Sequence, residues 1–200
     1  YILTNLSQCG IPTHLVKRLN MREQLIKKAD IFPIEFIVRN IATGSLTKRL
    51  GIPEGTVLDK PLLEYCYKKD ELNDPLISRE HIFSFGWASE NEIKSIDKIT
   101  LRINDILLGM FRAIGIKLVD FKIEYGKAWN KDKGENEIVL ADEISPDTCR
   151  LWDSKTEKKL DKDRFRKDLG NIIEGYQEVA RRLGIMPEIG NIKEVNFNKP

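Results

Sequence analysis

The sequence predicts an α+β protein of antiparallel strands and two long helices. A stripe of apolar residues at helical spacing follows Ser89 and Glu92, a pair typical of a capping box at a helix start. A second apolar stripe of helical period begins near residues 161–163 and ends at Gly184. Between the two stripes, apolar and charged residues alternate over 116–125, which is the pattern of a strand.

Size and charge narrow the class of protein. The 200 residues suffice for one domain or for two small lobes that share a cleft. With 33 Lys and Arg against 31 Asp and Glu, the net charge of +2 argues against a dedicated nucleic-acid binder. No apolar run approaches the ~20 residues of a membrane helix, and the three cysteines form no CxxC pair. We therefore expect a cytoplasmic protein with reduced thiols that binds neither nucleic acid nor membrane.

The first fifty residues divide into short elements separated by turn residues. Gly10 is expected to stop the first helix, and Gly44 and Gly51 are expected to bracket a short segment. Between Gly10 and Gly44, apolar stretches rich in β-forming residues predict strands. The elements predicted in this way are a helix end at 1–9, strands at 14–19, 23–29 and 33–41, and a short segment at 45–50.

The middle of the chain is predicted to be rich in loops. Proline, glycine and aspartate recur over 51–87, which favours long ordered loops around one short strand at 62–67. The helix that begins after Ser89 is expected to end at Gly115. Both helical stripes are typical of core packing, so neither predicts a functional site.

A hairpin is predicted between the two helices. Its strands are 116–125 and 137–143, and the stretch 126–136 is expected to be a long solvated loop that connects them. Arg150 follows this hairpin and is expected to lie in a loop beside it.

One face of the first hairpin strand is charged. Because side chains of a strand alternate between its faces, Asp120, Lys122 and Glu124 share one side. If the two strands pair, Asp142 comes near that side. Carboxylates that flank a lysine suit a magnesium nucleotide, since carboxylate oxygens bind the metal and the ammonium contacts phosphate. The alternative is an ordinary amphipathic strand with a solvated charged face, which the alternation alone favours.

A second candidate site follows the apolar strand at 33–41. Arg39 precedes Gly44 and Ser45 at a predicted helix start, and an arginine with a hydroxyl there suits a phosphate group. The alternative is a strand, a turn and a helix with a surface arginine. His14 and His81 are isolated, which favours structural roles, and the chain contains no GxxxxGK[ST], GxGxxG or GxSxG motif.

Several motifs, in order from about residue 10 to residue 185, resemble those of the SAICAR synthetase family. They include one signature over 33–46 and a second over 140–153, with the strand Leu118-Val119-Asp120-Phe121-Lys122 between them. The further similar motifs are Lys48-Arg49-Leu50-Gly51, Asn73-Asp74-Pro75, Phe85-Gly86-Trp87 and Asp161-Lys162-Asp163-Arg164-Phe165-Arg166.

The resemblance implies a two-lobe fold with a nucleotide cleft and an ATP-dependent ligase of purine biosynthesis. Such an enzyme condenses the ribotide CAIR (5-amino-1-(5-phosphoribosyl)imidazole-4-carboxylate) with L-aspartate, using ATP and Mg2+, through an acyl phosphate. Phosphorylation supplies a leaving group that a carboxylate lacks, so the protein neutralises charge and positions the reactants. The alternatives are a kinase-like small-molecule phosphotransferase, which would need no aspartate, and a non-catalytic binding protein.

The resemblance also assigns roles to residues. It implies that Glu124 and Asp142 bind magnesium at the nucleotide, and that Lys122 and Asp120 act at the reacting groups. Ile31 is expected on the hinge against adenine, and Lys68 near the nucleotide. The residues implied at the substrates are Arg39, Ser45 and Arg150 at the ribotide phosphate, Asp74 at the imidazole and Arg166 at the aspartate.

The resemblance further implies a division into lobes. Members of the family begin with strands that carry a glycine- and lysine-rich phosphate loop, and Tyr1 is expected to lie in the helix after that loop. Residues 1–30 would then be the remainder of the N-terminal β-lobe, and 31–200 the α+β lobe with the substrate and metal site. We expect a homodimer, and weak ATP binding by these residues without the phosphate loop.

Overall fold

The centre of the fold is an antiparallel sheet. The computed structural model describes residues 1–20, 23–163 and 172–186. Within these ranges the central sheet has six strands in the order β5-β4-β3-β6-β7, and β8 pairs with β6. The strands are β3 (Ala29–Ile41), β4 (Val57–Tyr67), β5 (Leu76–Ile77), β6 (Ile116–Asn130), β7 (Glu135–Ala141) and β8 (Cys149–Asp153).

Shorter elements surround the sheet. A separate hairpin, β1 with β2, forms its own two-stranded sheet. The strands predicted at 14–19 and 23–29 are confirmed as this hairpin, and the segment predicted after Gly44 is confirmed as a helix. These elements are α1 (Ile2–Gln8), β1 (Leu15–Arg18), β2 (Gln24–Ile26), α2 (Ser45–Leu50), α3 (Arg79–Ser84), α4 (Glu90–Ala113) and α5 (Ile172–Arg182).

Helix α4 covers one face of the sheet. It begins as predicted, because the Ser89 hydroxyl accepts the Glu92 backbone N–H while the Glu92 carboxylate accepts the Ser89 backbone N–H. Its apolar stripe packs against an aromatic cluster of the sheet, in which Phe36 meets Tyr125 edge to face at 5.2 Å between ring centroids. The Tyr125 hydroxyl is hydrogen-bonded to Thr100 of α4 at 2.7 Å.

Strand register places charged side chains on the opposite face. Glu35 of β3 lies across from Glu124 of β6, and Arg39 lies across from Asp120. Arg150 of β8 pairs with Asp120 from the other side. Since directly paired residues project to the same face, the register alone brings these five side chains together.

The predicted loop at 126–136 is wrong. Strand β6 continues to Asn130 and β7 begins at Glu135, so only 131–134 connect them. Gly126 favours a loop in sequence, but here it permits close approach of β3. A Cβ atom at Gly126 would lie 3.0 Å from the Ala29 Cβ and 3.0 Å from the Asp30 carbonyl oxygen.

Two other expectations change in the structure. Arg150 lies on β8 and not in a loop, because 149–153 pair with the first half of β6. The stretch 51–87 contains α3 and β5 as well as a longer strand than predicted. His81 has the structural role expected for it, since its Nδ1 accepts the Ser78 backbone N–H at 3.0 Å at the start of α3.

The remaining expectations concern the second long helix, the division into lobes and membrane-spanning helices. The predicted second helix is present as α5, and its expected start near 161–163 adjoins residues outside the described ranges. The division at residues 30 and 31 stays a prediction and falls inside β3. Among the described residues, no helix combines the length and apolar character needed to cross a membrane.

Candidate active site

The charged face of the sheet forms the floor of a cavity of about 230 Å³. Strands β3, β6 and β8 supply this floor, and α2 and the loops around 74, 147 and 162 supply the walls. The polar lining includes Glu35, Arg39, Ser45, Asp74, Asp120, Lys122, Asp147, Thr148, Arg150, Lys162 and Asp163.

Asp120 joins two arginines at the centre of the cavity. Its Oδ2 accepts from Arg39 Nη1 at 2.9 Å and from Arg150 Nη1 at 2.7 Å. Burial raises the pKa of Asp120, and the two guanidinium groups oppose that rise. Arg150 Nε also donates to Asp163 at 2.9 Å, so the guanidinium of Arg150 is held from two sides.

Ser45 and Gly44 complete this cluster. Arg39 Nη2 donates to the Ser45 hydroxyl at 3.1 Å. Gly44 has φ of 59°, and a Cβ atom there would lie 2.9 Å from Arg150 Nη2. The structure thus brings together Arg39, Ser45 and Arg150, the three residues expected at the ribotide phosphate.

A second row of charges lies beside this cluster. Lys122 forms an ion pair with Glu35, and Lys68 forms one with Glu124. Burial raises the pKa of Glu35, while the hydrogen bond from Lys122 opposes the rise. Both glutamates are buried, whereas the Lys68 side chain is 42% exposed and accessible to a ligand.

Regular strand alternation breaks at Asp142, directly after β7. Ala141 is the register partner of Glu124, so regular alternation would turn Asp142 to the other face. Asp142 instead has φ of 59°. Burial lowers the pKa of Lys122, but the hydrogen bond to Glu35 and the charges of Glu35, Glu124 and Asp142 raise it overall.

Within the described part of the chain, protein groups alone do not form a complete metal site. Among the described residues, no cluster of three or more His, Cys, Asp or Glu side chains has the arrangement needed to hold a metal ion. Glu124 and Asp142 therefore remain predicted magnesium ligands, with hard oxygen donors of the kind that magnesium prefers.

The other expected site residues lie at the edge of the cavity, outside it, or outside the described residues. Asp74 lines the cavity at a turn where Asn73 and Asp74 both have positive φ, and its Oδ1 accepts the Lys69 backbone N–H at 2.9 Å. Ile31 is 42% exposed on β3 opposite Gly126, outside the lining of the cavity. Arg166 lies outside the described residues.

Burial decides between the alternatives left open by the sequence. Asp120 is 3% exposed and Glu124 is 4% exposed, so the charged face of β6 is not a solvated face. Arg39 is 3% exposed and is not a surface arginine. Buried charges need partners. Arg39 and Asp120 pair with each other across neighbouring strands, and Glu124 pairs with Lys68, which directly follows β4.

Sequence reasoning missed three carboxylates of this site. Glu35 and Asp163 lie within quoted motifs but received no role, although each contacts a basic residue of the cavity. Glu64 lies on β4 behind Arg39 and accepts from its Nε at 2.6 Å. Glu64 falls within the predicted strand at 62–67, but its contact with Arg39 depends on the register of β4 against β3, for which the sequence carries no local signal.

The comparisons agree with this architecture. A family model described as SAICAR synthetase matches residues 1–183. The chain belongs to the SAICAR synthetase family. It is 65% identical, over 199 residues, to a phosphoribosylaminoimidazole-succinocarboxamide synthase of Pelagibacter ubique (strain HTCC1062), and the match covers 100% of this chain and 76% of that relative.

Solved structures of the family have the same fold. The synthase of Ehrlichia chaffeensis is 51% identical with a TM-score of 0.88, over 94% of this chain and 78% of that one. A SAICAR synthetase (Type-2) in complex with ADP is 47% identical with a TM-score of 0.86, also over 94% and 78%. The predicted family, α+β fold and enzyme class are therefore confirmed, and a non-catalytic binding protein is excluded.

Proposed function

We propose that this chain is an ATP-dependent ligase that condenses CAIR with L-aspartate to give SAICAR, ADP and phosphate. The observation that carries the proposal is the convergence of Arg39, Ser45 and Arg150 on one cavity from three separate elements. Family membership and the ADP complex of a relative support the choice of a nucleotide-dependent reaction.

The phosphate of the ribotide is proposed to bind at the arginine cluster. A guanidinium presents several N–H donors in a plane, which suits a phosphate dianion, and the Ser45 hydroxyl adds one more donor. Asp120 and Asp163 hold the two arginines in place before the ligand arrives. Such preorganisation lowers the cost of ordering flexible side chains on binding. Asp74, at the far wall, is proposed to contact the imidazole end of the ribotide.

The nucleotide is proposed to bind beside the second row of charges. Glu124 and Asp142 are the carboxylates that would hold magnesium, and when bound the metal offsets negative charge on the phosphates. Lys68 is close enough to Glu124 to contact the same phosphates. Ile31 is proposed to pack against adenine.

The reaction is proposed to proceed in two steps. A carboxylate oxygen of CAIR attacks the γ-phosphorus of ATP, and the bond to ADP breaks. The amine of aspartate then attacks the acyl carbon, and phosphate leaves with the electron pair of the broken C–O bond and takes up the proton that the amine loses. Lys122 lies between Asp120 and Glu124 on the cavity floor, where its charge would stabilise the carbonyl oxygen that gains negative charge when the amine adds. Arg166 is proposed to help at the aspartate.

Release of ADP tests this proposal. We expect the full-length protein to release ADP in a coupled assay only when CAIR, aspartate and magnesium are all present. ADP release at an equal rate without aspartate would favour the kinase-like phosphotransferase. Omission of CAIR is the control for plain ATP hydrolysis.

Location and assembly are further parts of the proposal. We infer a cytoplasmic homodimer, supported for location by three free cysteines in the structure. Light scattering of the purified protein is expected to give twice the mass of one chain, and a monomer mass would contradict the dimer.

A further inference from the structure

Glu64 lies behind the arginine cluster, outside the lining of the cavity. It occupies β4 opposite Ile37 of β3, and its side chain is 9% exposed. Its carboxylate contacts two arginines, with Oε2 accepting from Arg39 Nε at 2.6 Å and Oε1 accepting from Arg49. One buried carboxylate therefore connects two side chains from different elements.

The first contact fixes the orientation of Arg39. The guanidinium is planar, so fixing Nε together with one terminal nitrogen determines where the other nitrogen points. Glu64 holds Nε and Asp120 holds Nη1, and Nη2 then reaches the Ser45 hydroxyl at the cavity wall. Without Glu64, the guanidinium would be free to rotate about its remaining contacts.

The second contact fixes helix α2. Arg49 lies in the last turn of this helix, and Ser45 is its first residue. Leu46, which is 1% exposed, anchors the apolar side of this helix of 6 residues, and Arg49 adds a polar contact at its far end. The ion pair of Arg49 with Glu64 holds α2 to β4 and so holds Ser45 beside Arg39. This gives a role to the Lys48-Arg49-Leu50-Gly51 motif, which the proposed function leaves unexplained.

We propose that Glu64 is a positioning residue for the phosphate of the ribotide, acting through Arg39 and Arg49 and touching no substrate itself. This inference rests on the proposed function of the same cavity. It names Glu64 and Arg49 as determinants of ribotide affinity, separate from the groups that contact the nucleotide.

Charge and geometry make opposite predictions for Glu64, which makes the proposal testable. The network joins Arg39, Arg49 and Arg150 to Glu64, Asp120 and Asp163, three cations and three carboxylates. By charge alone, the network without the Glu64 carboxylate would attract a phosphate dianion more strongly. If Glu64 acts by positioning, its loss weakens phosphate binding in spite of the more positive charge.

The main test is Glu64→Gln in the full-length protein. Glutamine offers one acceptor and one donor group, so it can accept from only one of the two arginines. We expect the KM for CAIR to rise about tenfold, as misplacement of a binding group does. Values of kcat and the KM for ATP are expected to stay within about twofold of the original, because the nucleotide site is untouched.

Two further variants keep the test decisive if Glu64→Gln does not fold. Arg49→Gln removes only the α2 contact at a partly exposed position, and we expect a smaller rise in the KM for CAIR, about threefold. Arg49→Lys retains a cation for Glu64 and is expected to restore much of the affinity. If Arg49 had only a structural role, both Arg49 variants would have a lower melting temperature, and their KM values for CAIR would not differ.

Asp97→Asn is the matched control. Asp97 is also a buried carboxylate paired with an arginine, Arg79, but it lies on the α4 side of the sheet. We expect a lower melting temperature and an unchanged KM for CAIR. A fall in KM, or no change, in folded Glu64→Gln and Arg49→Gln would overturn the proposal.

Calorimetric titration with CAIR separates this inference from the proposed function. It measures ribotide affinity without turnover, so an inactive original protein that still binds CAIR would contradict the ligase reaction and leave the positioning test intact. A protein that binds no CAIR at all would overturn both.

Discussion

On the face of the sheet that packs against α4, buried polar side chains form groups of two or three residues, the largest of which joins Asp97 to Tyr65 and Arg79. On the cavity face the buried charges form a larger connected network. Asn40 bonds only across to Asn104 and the backbone of β6, and Tyr125 to Thr100. On the cavity face, Asp120 alone links two arginines, and these lead on to Glu64 and Asp163. The same strands, through their period of two, supply both faces.

This difference indicates what each face contributes. Apolar burial against α4 stabilises the fold in proportion to the area removed from water. Buried ion pairs cost desolvation free energy that their attraction often fails to exceed, so a network of them is weak evidence for stability. We infer that the α4 face carries stability and the cavity face carries function, and three substitutions test this division.

The largest effect is expected for Glu124→Gln on the cavity face. The amide keeps the shape of the side chain but loses the charge that would hold magnesium, so kcat should fall on the order of a thousandfold. The KM for CAIR should change little, because Arg39, Ser45 and Arg150 remain. Steady-state ADP release measures both constants.

Glu137→Gln is the control for this variant. Glu137 is another carboxylate of the β6–β7 hairpin, paired with Lys133 near its turn. Its replacement should leave kcat unchanged. Full activity in Glu124→Gln would remove Glu124 from the metal site.

A smaller effect, of a different kind, is expected for Ile103→Ala in α4. Ile103 is fully buried against the sheet, and the cavity left by the lost atoms should lower the free energy of unfolding by about 2–5 kcal/mol. Urea unfolding measures this loss, and the KM for CAIR of the folded variant should match the original. Leu101→Ala, on a residue 39% exposed in the same helix, is expected to cost far less. A raised KM for CAIR in Ile103→Ala would contradict the division of stability and function between the two faces.

The smallest effect is expected from the pH dependence of Asp161. Its carboxylate is buried and accepts the backbone N–H groups of Leu151 and Asp163, and burial raises its pKa to about 6. The folded state therefore binds this proton more tightly than the unfolded state, so the stability contributed is present at low pH and is lost as pH rises from about 4 to about 6.

Asp161→Asn tests this sign directly. The neutral amide has no such titration, so the stability of the variant relative to the original protein should rise across that interval, on the order of 1 kcal/mol. Urea unfolding at a series of pH values gives the difference curve. A flat difference would show that folding leaves the pKa of Asp161 unchanged, and one that falls with pH would show that folding lowers it; either result contradicts the prediction.

Local signals in the sequence predicted the elements that end on capping or glycine residues. Ser89 and Glu92 determine the start of α4, and Gly44 and Gly51 bracket α2. Gly126 misled for a physical reason, since the same residue type serves turns and close strand approach. Strand β8 has 5 residues, too few for alternation to distinguish it from a loop.

Prediction of the candidate site needed contacts between residues that are far apart in the sequence. The alternation of Asp120, Lys122 and Glu124 and the candidate phosphate site at Arg39 and Ser45 are visible in the chain. The resemblance added Arg150 to that site. The partners Glu64 and Glu35 depend on the register of β3 against β4 and β6, which no local pattern encodes.

The placement of the cysteines has a practical consequence for chemical labelling. Cys149 lines the cavity but is buried, and burial raises the pKa of its thiol to about 12, so the reactive thiolate is scarce at neutral pH. Burial likewise raises the pKa of Cys66 to about 11. Cys9 is exposed, on the far end of the first helix. A maleimide fluorophore would therefore attach at Cys9 and leave the cavity unmodified, whereas thiol-directed inhibitors would find no reactive group inside it.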